Sequence, residues 1–160
     1  MLLDPGESEH PLDLVEVSVA ARDWACERTA RNELVAEVHG RWCNYYLVFV
    51  WSDELDALNI ACAFDVRSPK ERQAAVYELL AITNDRLTIG HFEVSSGLPA
   101  FRHSLLLRGA NLSAEQVEDM VDIALSEVDR FYPAFQYVAW GGRNPPEALA
   151  ASMLETKGEA

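Results

Sequence analysis

The sequence predicts an α+β fold in which helices pack on an antiparallel sheet. Between residues 24 and 66, apolar and polar side chains alternate in four short runs, the pattern of strands. Two more such runs occupy residues 88–108, after a stretch of helical periodicity. Helical spacing with start and stop signals marks both ends of the chain. The predicted order of elements is therefore α-β-β-β-β-α-β-β-α-α. The sheet is expected to be antiparallel, because short strands joined by turns pair in that way.

The first helix is predicted to begin at Pro11, a residue type favoured in the first turn. Leu12, Val15 and Val19 recur at intervals of three and four residues and form its core stripe. The length of 160 residues is typical of one domain. We assign three parts: a flexible N-terminal lead-in at 1–10, a single domain at 11–156 and a C-terminal tail at 157–160.

The four strands that follow are predicted at 24–29, 33–39, 42–51 and 57–66. The third strand is apolar on both faces, because Trp42, Tyr46, Val48 and Val50 lie opposite its core-facing residues. Such a strand is either covered on both faces or covered on one face and used for contact on the other. The fourth strand carries small or polar residues on one face, which would let a helix or a second subunit approach closely: Asn59, Ala61, Ala63 and Asp65.

The second helix is predicted from Ser68-Pro69-Lys70-Glu71, which has the pattern of a capping box with proline at the first helical position. Two strands are then expected at 88–95 and 99–108. Ser-Ser-Gly within Ser95–Leu98 indicates a hairpin connection between them.

The third helix is predicted from a second capping box, formed by Ser113 and Gln116. Its apolar stripe extends to Ala139, although Pro133 removes a backbone donor and is expected to bend or end the helix. A short final helix is expected to start at Asn144 and the two prolines after it.

The acidic balance restricts the partners of this protein. Lys and Arg number 13, Asp and Glu number 26, and the net charge is −13. We therefore expect no nucleic-acid or membrane binding, because both targets are negatively charged. No apolar run is long enough to span a membrane, and the acidic start MLLDPGESEH is unlike a signal peptide. Three cysteines without metal-site spacing are expected to be reduced, so we expect a cytoplasmic protein.

The candidates for catalysis are few. No nucleophile elbow, phosphate loop or dinucleotide fingerprint occurs, so no cofactor is expected. His91 and His103 lie on strands expected to pair, and with Cys62 or Asp65 they could hold zinc. The apolar neighbours of His103 favour a hydrogen-bonded core histidine instead. The acids of the third helix form a solvated face.

Two features could form a partner surface. Six large groups crowd residues 131–140, where they either seal the last helix onto the sheet or, if half of them are exposed, contact a partner. Arg102 and Arg108 share one strand face, where they either dock an acidic segment or pair with local carboxylates.

Several segments together resemble one family, the YbjN-domain proteins of bacteria, described as sensory transduction regulators. The segments are Arg41-Trp42-Cys43-Asn44-Tyr45, Phe49–Trp51, Ala63-Phe64-Asp65, Asn84 with Gly90-His91-Phe92, Phe101-Arg102-His103, Phe131-Tyr132-Pro133-Ala134-Phe135 and Trp140-Gly141-Gly142. The resemblance covers residues 10–158. It implies a fold like that of type III secretion chaperones, which usually dimerise and bind protein segments, and it transfers no catalytic residue.

These observations favour a non-enzymatic, homodimeric protein-binding module of chaperone-like or regulatory type, with an unidentified protein client. The expected contact residues are Trp42, Tyr46, Trp51, Arg102, Tyr132 and Trp140. The alternative is a small-molecule or metal-dependent enzyme that uses His91, His103 and a nearby carboxylate.

Overall fold

The computed structural model describes residues 10–157 and confirms the predicted class and order of elements. Six strands form one antiparallel sheet in the order β1-β2-β3-β4-β6-β5. The strands are β1 Cys26–Ala30, β2 Glu33–His39, β3 Asn44–Ser52, β4 Ala57–Phe64, β5 His91–Ser95 and β6 Leu98–Leu106. The helices are α1 Pro11–Ala20, α2 Gln73–Asn84, α3 Ala114–Ala139 and α4 Pro145–Lys157.

One face of the sheet forms the core with the helices. On β3, Tyr45, Leu47 and Phe49 are fully buried, whereas the alternate residues Tyr46 and Val50 are exposed. The same alternation runs through β2 and β4, so the buried side chains of neighbouring strands share a face. Helix α3 packs on β4 and β6, α1 packs on β1, β2 and β3, and α2 packs beside β5. Within residues 10–157, no helix covers the opposite face of the sheet.

Local signals set the starts of two helices as predicted. Helix α1 begins at Pro11, and the Nδ1 atom of His10 accepts a hydrogen bond from the N–H of Leu12 at 3.1 Å. The capping box of α3 is present, with Ser113 and Gln116 bonded reciprocally at 3.1 and 2.9 Å. His10, assigned to the lead-in, is therefore part of the helix cap. The rest of the predicted lead-in and most of the predicted tail lie outside the described residues.

The prediction for the start of the second helix was wrong. Residues Lys70–Arg72 form a 3-10 turn without a side-chain cap, and α2 begins only at Gln73. The guanidinium of Arg72 donates to the carbonyl oxygens of Val138 and Arg143 at 2.8 and 2.7 Å. This tertiary contact holds the turn against the C-terminal end of α3, which the local sequence does not encode.

Pro133 does not end α3, which is one continuous helix from Ala114 to Ala139. Proline has no N–H, so the carbonyl oxygen four residues earlier, on Asp129, loses its intrahelical donor. The indole Nε1–H of Trp42 donates to that oxygen at 2.7 Å. A side chain from another element therefore compensates for the proline, which explains how the helix tolerates it.

The outer edge of β5 is closed by a side chain. The amide of Asn84, at the end of α2, accepts from the N–H of Phe92 at 2.7 Å and donates to its carbonyl oxygen at 3.0 Å. It thereby takes the place of a neighbouring strand. The unpaired backbone groups of an edge strand can pair with another chain. At Phe92, Asn84 occupies these groups and so blocks such pairing at this residue.

Candidate protein-binding surface

The uncovered face of the sheet, called the open face below, has an apolar centre. Tyr46, Val48 and Val50 on β3 form a ridge, with Tyr46 42% and Val50 37% exposed. Ala61 and Ala63 on β4 lie directly beside Val48 and Tyr46 in the register and form a trough of small side chains. Because alternate residues of a strand share a face, all five lie on one surface.

One side of this apolar centre is acidic. Glu27 on β1 and both Glu33 and Glu37 on β2 belong to the open face. Glu33 accepts from the hydroxyl of Thr29 at 2.6 Å, and Glu37 accepts from the side-chain amide of Asn44 at 3.0 Å. Neither of these partners carries a charge, so the flank keeps its negative potential.

The other side carries the basic groups. Arg102 on β6 and His91 on β5 are paired in the register, and Glu93 lies next to both. The guanidinium of Arg102 is 3.4 Å from Glu93 and donates to the amide oxygen of Asn59 at 3.2 Å. His91 is 3.3 Å from the same carboxylate. Arg102 thus pairs with a local acid, one of the two expected roles, while its side chain stays about half exposed, at 47%.

Trp42 belongs to the turn between β2 and β3 and contacts α3, away from the ridge. Its ring stacks on Tyr132 with centroids 6.2 Å apart and planes 5° apart. Asp129 accepts from the backbone N–H of Arg41 at 3.2 Å and from the hydroxyl of Tyr45 at 2.6 Å. Together with the indole bond to the Asp129 carbonyl, these contacts attach the turn to the helix. Trp42 and the largely buried Tyr132 therefore have a structural role here.

The six predicted contact residues do not form one surface. Only Tyr46 and Arg102 lie on the open face. Trp51 is 6% exposed and belongs to the core, where its indole donates to Asp53 at 3.1 Å. Trp140 follows the last residue of α3 and is 64% exposed. Val35 on β2 was not predicted but also lies on the open face, directly beside Val48. An apolar residue next to the ridge of β3 was the sequence signal that could have identified it.

The structure contradicts the site proposed for the enzyme alternative. His91 and His103 lie on paired strands, as predicted, but His91 is opposite Arg102, so His103 projects from the other face of the sheet. The two-residue turn Ser96-Gly97, with positive φ at both residues, fixes this register. Counting residues outward from this two-residue turn pairs His91 with Arg102, so the sequence alone could have shown that His91 and His103 lie on opposite faces of the sheet.

His103 lies on the helix-covered face as a core histidine. Its ring centroid is 5.8 Å from that of Phe101, and its Nε2 lies 3.5 Å from the carbonyl oxygen of Met120. Burial lowers the pKa of His103, which favours the neutral ring. Across residues 10–157, no three His, Cys, Asp or Glu side chains are grouped so as to hold a metal ion. The three cysteines are unpaired, and burial raises the pKa of each thiol.

A cleft of about 950 Å³ lies at one end of the sheet, between the β3–β4 turn and the loop before α3. The two aspartates that line this cleft accept hydrogen bonds that stabilise the surrounding structure. Asp53 accepts from the side chains of Asn32 and Trp51, and these hydrogen bonds lower its pKa. Asp56 accepts from the backbone N–H of Gly109. A general acid needs a raised pKa, so the lowered pKa of Asp53 is the opposite of what that role requires.

None of the helices described for residues 10–157 has the length and hydropathy needed to cross a membrane.

Comparison with known proteins bears on the family of this chain. No curated protein and no solved structure matches the chain significantly. A family model matches residues 11–137, that of YbjN, whose description is "Putative bacterial sensory transduction regulator". The match covers most of the chain and includes every strand of the sheet, so this protein belongs to the YbjN family.

Proposed function

We propose that this protein is a non-enzymatic protein-binding module of regulatory type that works through the open face. The observation that supports it is the apolar ridge of β3, which no helix among residues 10–157 covers. Apolar surface left in water costs roughly 25 cal/mol per Å², and contiguous patches of it mark interaction sites. The family description, a regulator, agrees with a binding role.

The expected partners, a second copy and a client protein, are both part of this proposal. A client segment could add to a strand edge or lie on an apolar surface. Asn84 already occupies the edge of β5 at Phe92, which favours the open face. The likeness to type III secretion chaperones stays a prediction. A cytoplasmic location, which the unpaired cysteines support, is proposed as well.

The test compares two tyrosine variants. Tyr46 on the open face and Tyr77 on α2 are both exposed, at 42% and 57%, so Tyr46→Glu has Tyr77→Glu as a matched control. Each tagged protein is incubated with cytosol of the source bacterium, and captured proteins are quantified by mass spectrometry. We expect one or two proteins that bind wild type and Tyr77→Glu but are lost with Tyr46→Glu. Equal capture by all three proteins would contradict the proposed surface.

A further inference from the structure

The open face has a shape that fits a copy of itself. The ridge on β3 and the trough on β4 are adjacent and parallel. Two pairs are matched in the register, Tyr46 with Ala63 and Val48 with Ala61, whereas Val50 lies beside Asn59. Large side chains therefore stand next to a line of small ones along the same two strands. A ridge beside a trough is self-complementary, because each can receive the other from a second copy.

The charges of the open face follow the same division. The acidic flank, formed by Glu27, Glu33 and Glu37, lies on the β2 side of the ridge. The basic side chains Arg102 and His91 lie beyond the trough, on β6 and β5. The strand order places β2 and β6 at equal distances from the line between β3 and β4. The carboxylates of Glu33 and Glu37 on β2 and the guanidinium of Arg102 on β6, which also pairs with Glu93 at 3.4 Å, thus lie on opposite sides of the apolar centre and at equal distances from it.

We propose that a second copy of this chain covers the open face, related to the first by a twofold axis parallel to the strands and lying between β3 and β4. This inference rests on the proposed function, since it names one occupant of the same surface. The rotation sets the ridge of each copy on the trough of the other and β2 of each copy opposite β6 of the other. Such an interface is isologous, the commonest kind in homodimers.

The register gives the facing residues, because rotation about this axis preserves height along the strands. Val48 meets Ala61 of the second copy. Arg102 of the second copy lies over Val35, between Glu33 and Glu37, which flank Val35 on the same face of β2. Packed sheets lie about 10 Å apart, within reach of long arginine and glutamate side chains.

A twofold axis perpendicular to the strands gives a worse fit. It would set β3 on β3 and β2 on β2, so that ridge would meet ridge and the acidic flank would meet itself. Like charges placed opposite each other in an interface are strongly unfavourable. Shape and charge therefore select the same axis, and they do so independently of each other.

The experiment exchanges the two charges. Arg102→Glu alone would place a carboxylate of each copy against the acidic flank of the other, and Glu37→Arg alone would place a second guanidinium against Arg102. We expect wild type to have a mass of about twice 17.9 kDa in light-scattering chromatography. Each variant is expected to dissociate to 17.9 kDa at a protein concentration roughly tenfold or more above that at which wild type dissociates. An equimolar mixture of the two variants restores opposite charges across the interface and is expected to form a heterodimer.

Three results would overturn the inference: a monomeric wild type at about 100 µM, where even a micromolar dimer is mostly formed; charge variants that dissociate at the same protein concentration as wild type; or a mixture of the two variants that dimerises no more tightly than either variant alone. Circular dichroism checks that the variants fold, and Tyr46→Ala, with Tyr77→Ala as control, tests the ridge without adding a charge beside Glu37. A monomeric wild type whose client capture still depends on Tyr46 refutes the dimer and leaves the proposed function. A charge-dependent dimer without such capture supports the dimer and refutes client binding.

Discussion

Replacing Trp42 by phenylalanine tests how α3 tolerates its internal proline. The change removes the indole N–H that donates to the Asp129 carbonyl at 2.7 Å and keeps an aromatic ring against Tyr132. A net hydrogen bond contributes about 1 kcal/mol, and an unsatisfied acceptor costs more where water is excluded. Because Trp42 is 38% exposed, water can reach the site in part. We therefore expect the free energy of unfolding to fall by about 1–2 kcal/mol.

The diagnostic quantity is the coupling with Pro133→Ala. Alanine restores the N–H that bonds the Asp129 carbonyl within the helix, so the oxygen no longer depends on Trp42. In that background, Trp42→Phe is expected to cost about 0.5–1 kcal/mol less than in wild type. The effect of Pro133→Ala alone is not diagnostic, because it combines a better helix former with the loss of buried carbon atoms.

Urea unfolding followed by circular dichroism measures all four proteins of this cycle. Equal slopes with denaturant are required before the free energies are compared. If Trp42→Phe costs the same in both backgrounds, within about 0.3 kcal/mol, the indole does not compensate for the proline and the reasoning fails.

Three further predictions concern the fold. Asn84→Asp keeps the acceptor for the N–H of Phe92 but places a carboxylate oxygen against its carbonyl, so urea unfolding should show a loss of about 1–3 kcal/mol, whereas an unchanged midpoint would refute the edge role. Gly40→Ala should lower the thermal midpoint, because the added Cβ would overlap the ring of buried Tyr45; a wild-type midpoint would contradict this. Because burial lowers the pKa of His103, the contribution of its neutral ring to stability is present above the unfolded-state pKa of about 6.5 and is lost as the pH falls. His103→Gln should therefore flatten the decrease in the free energy of unfolding between about pH 7 and 5. An unchanged slope in this variant would contradict the prediction.

The sequence by itself determined the elements and their order. Alternation along β3, the proline at the start of α1 and the capping box of Ser113 and Gln116 are local signals. In the structure the first appears as alternating burial, and local hydrogen bonds cap the starts of the two helices. The two-sided apolar pattern of β3 predicted a strand that is covered on both faces or covered on one face and used for contact on the other. In the part of the chain that the structure describes, only one of its faces is covered by helices. Tyr46 and Arg102 of the candidate surface were accessible to the same reasoning.

The tertiary structure decided which distant groups meet. Arg72, in the 3-10 turn before α2, bonds the carbonyl oxygens of Val138 in the last turn of α3 and of Arg143 in the segment after it. Trp42, which the two-sided strand pattern marked as a contact residue, is held by the carbonyl that Pro133 leaves free on Asp129, 87 residues away in the sequence. The pairing of β4 with β6 places ridge, trough and charged flanks on one face. Local patterns specify helix or strand, whereas these arrangements depend on packing between segments that are remote along the chain.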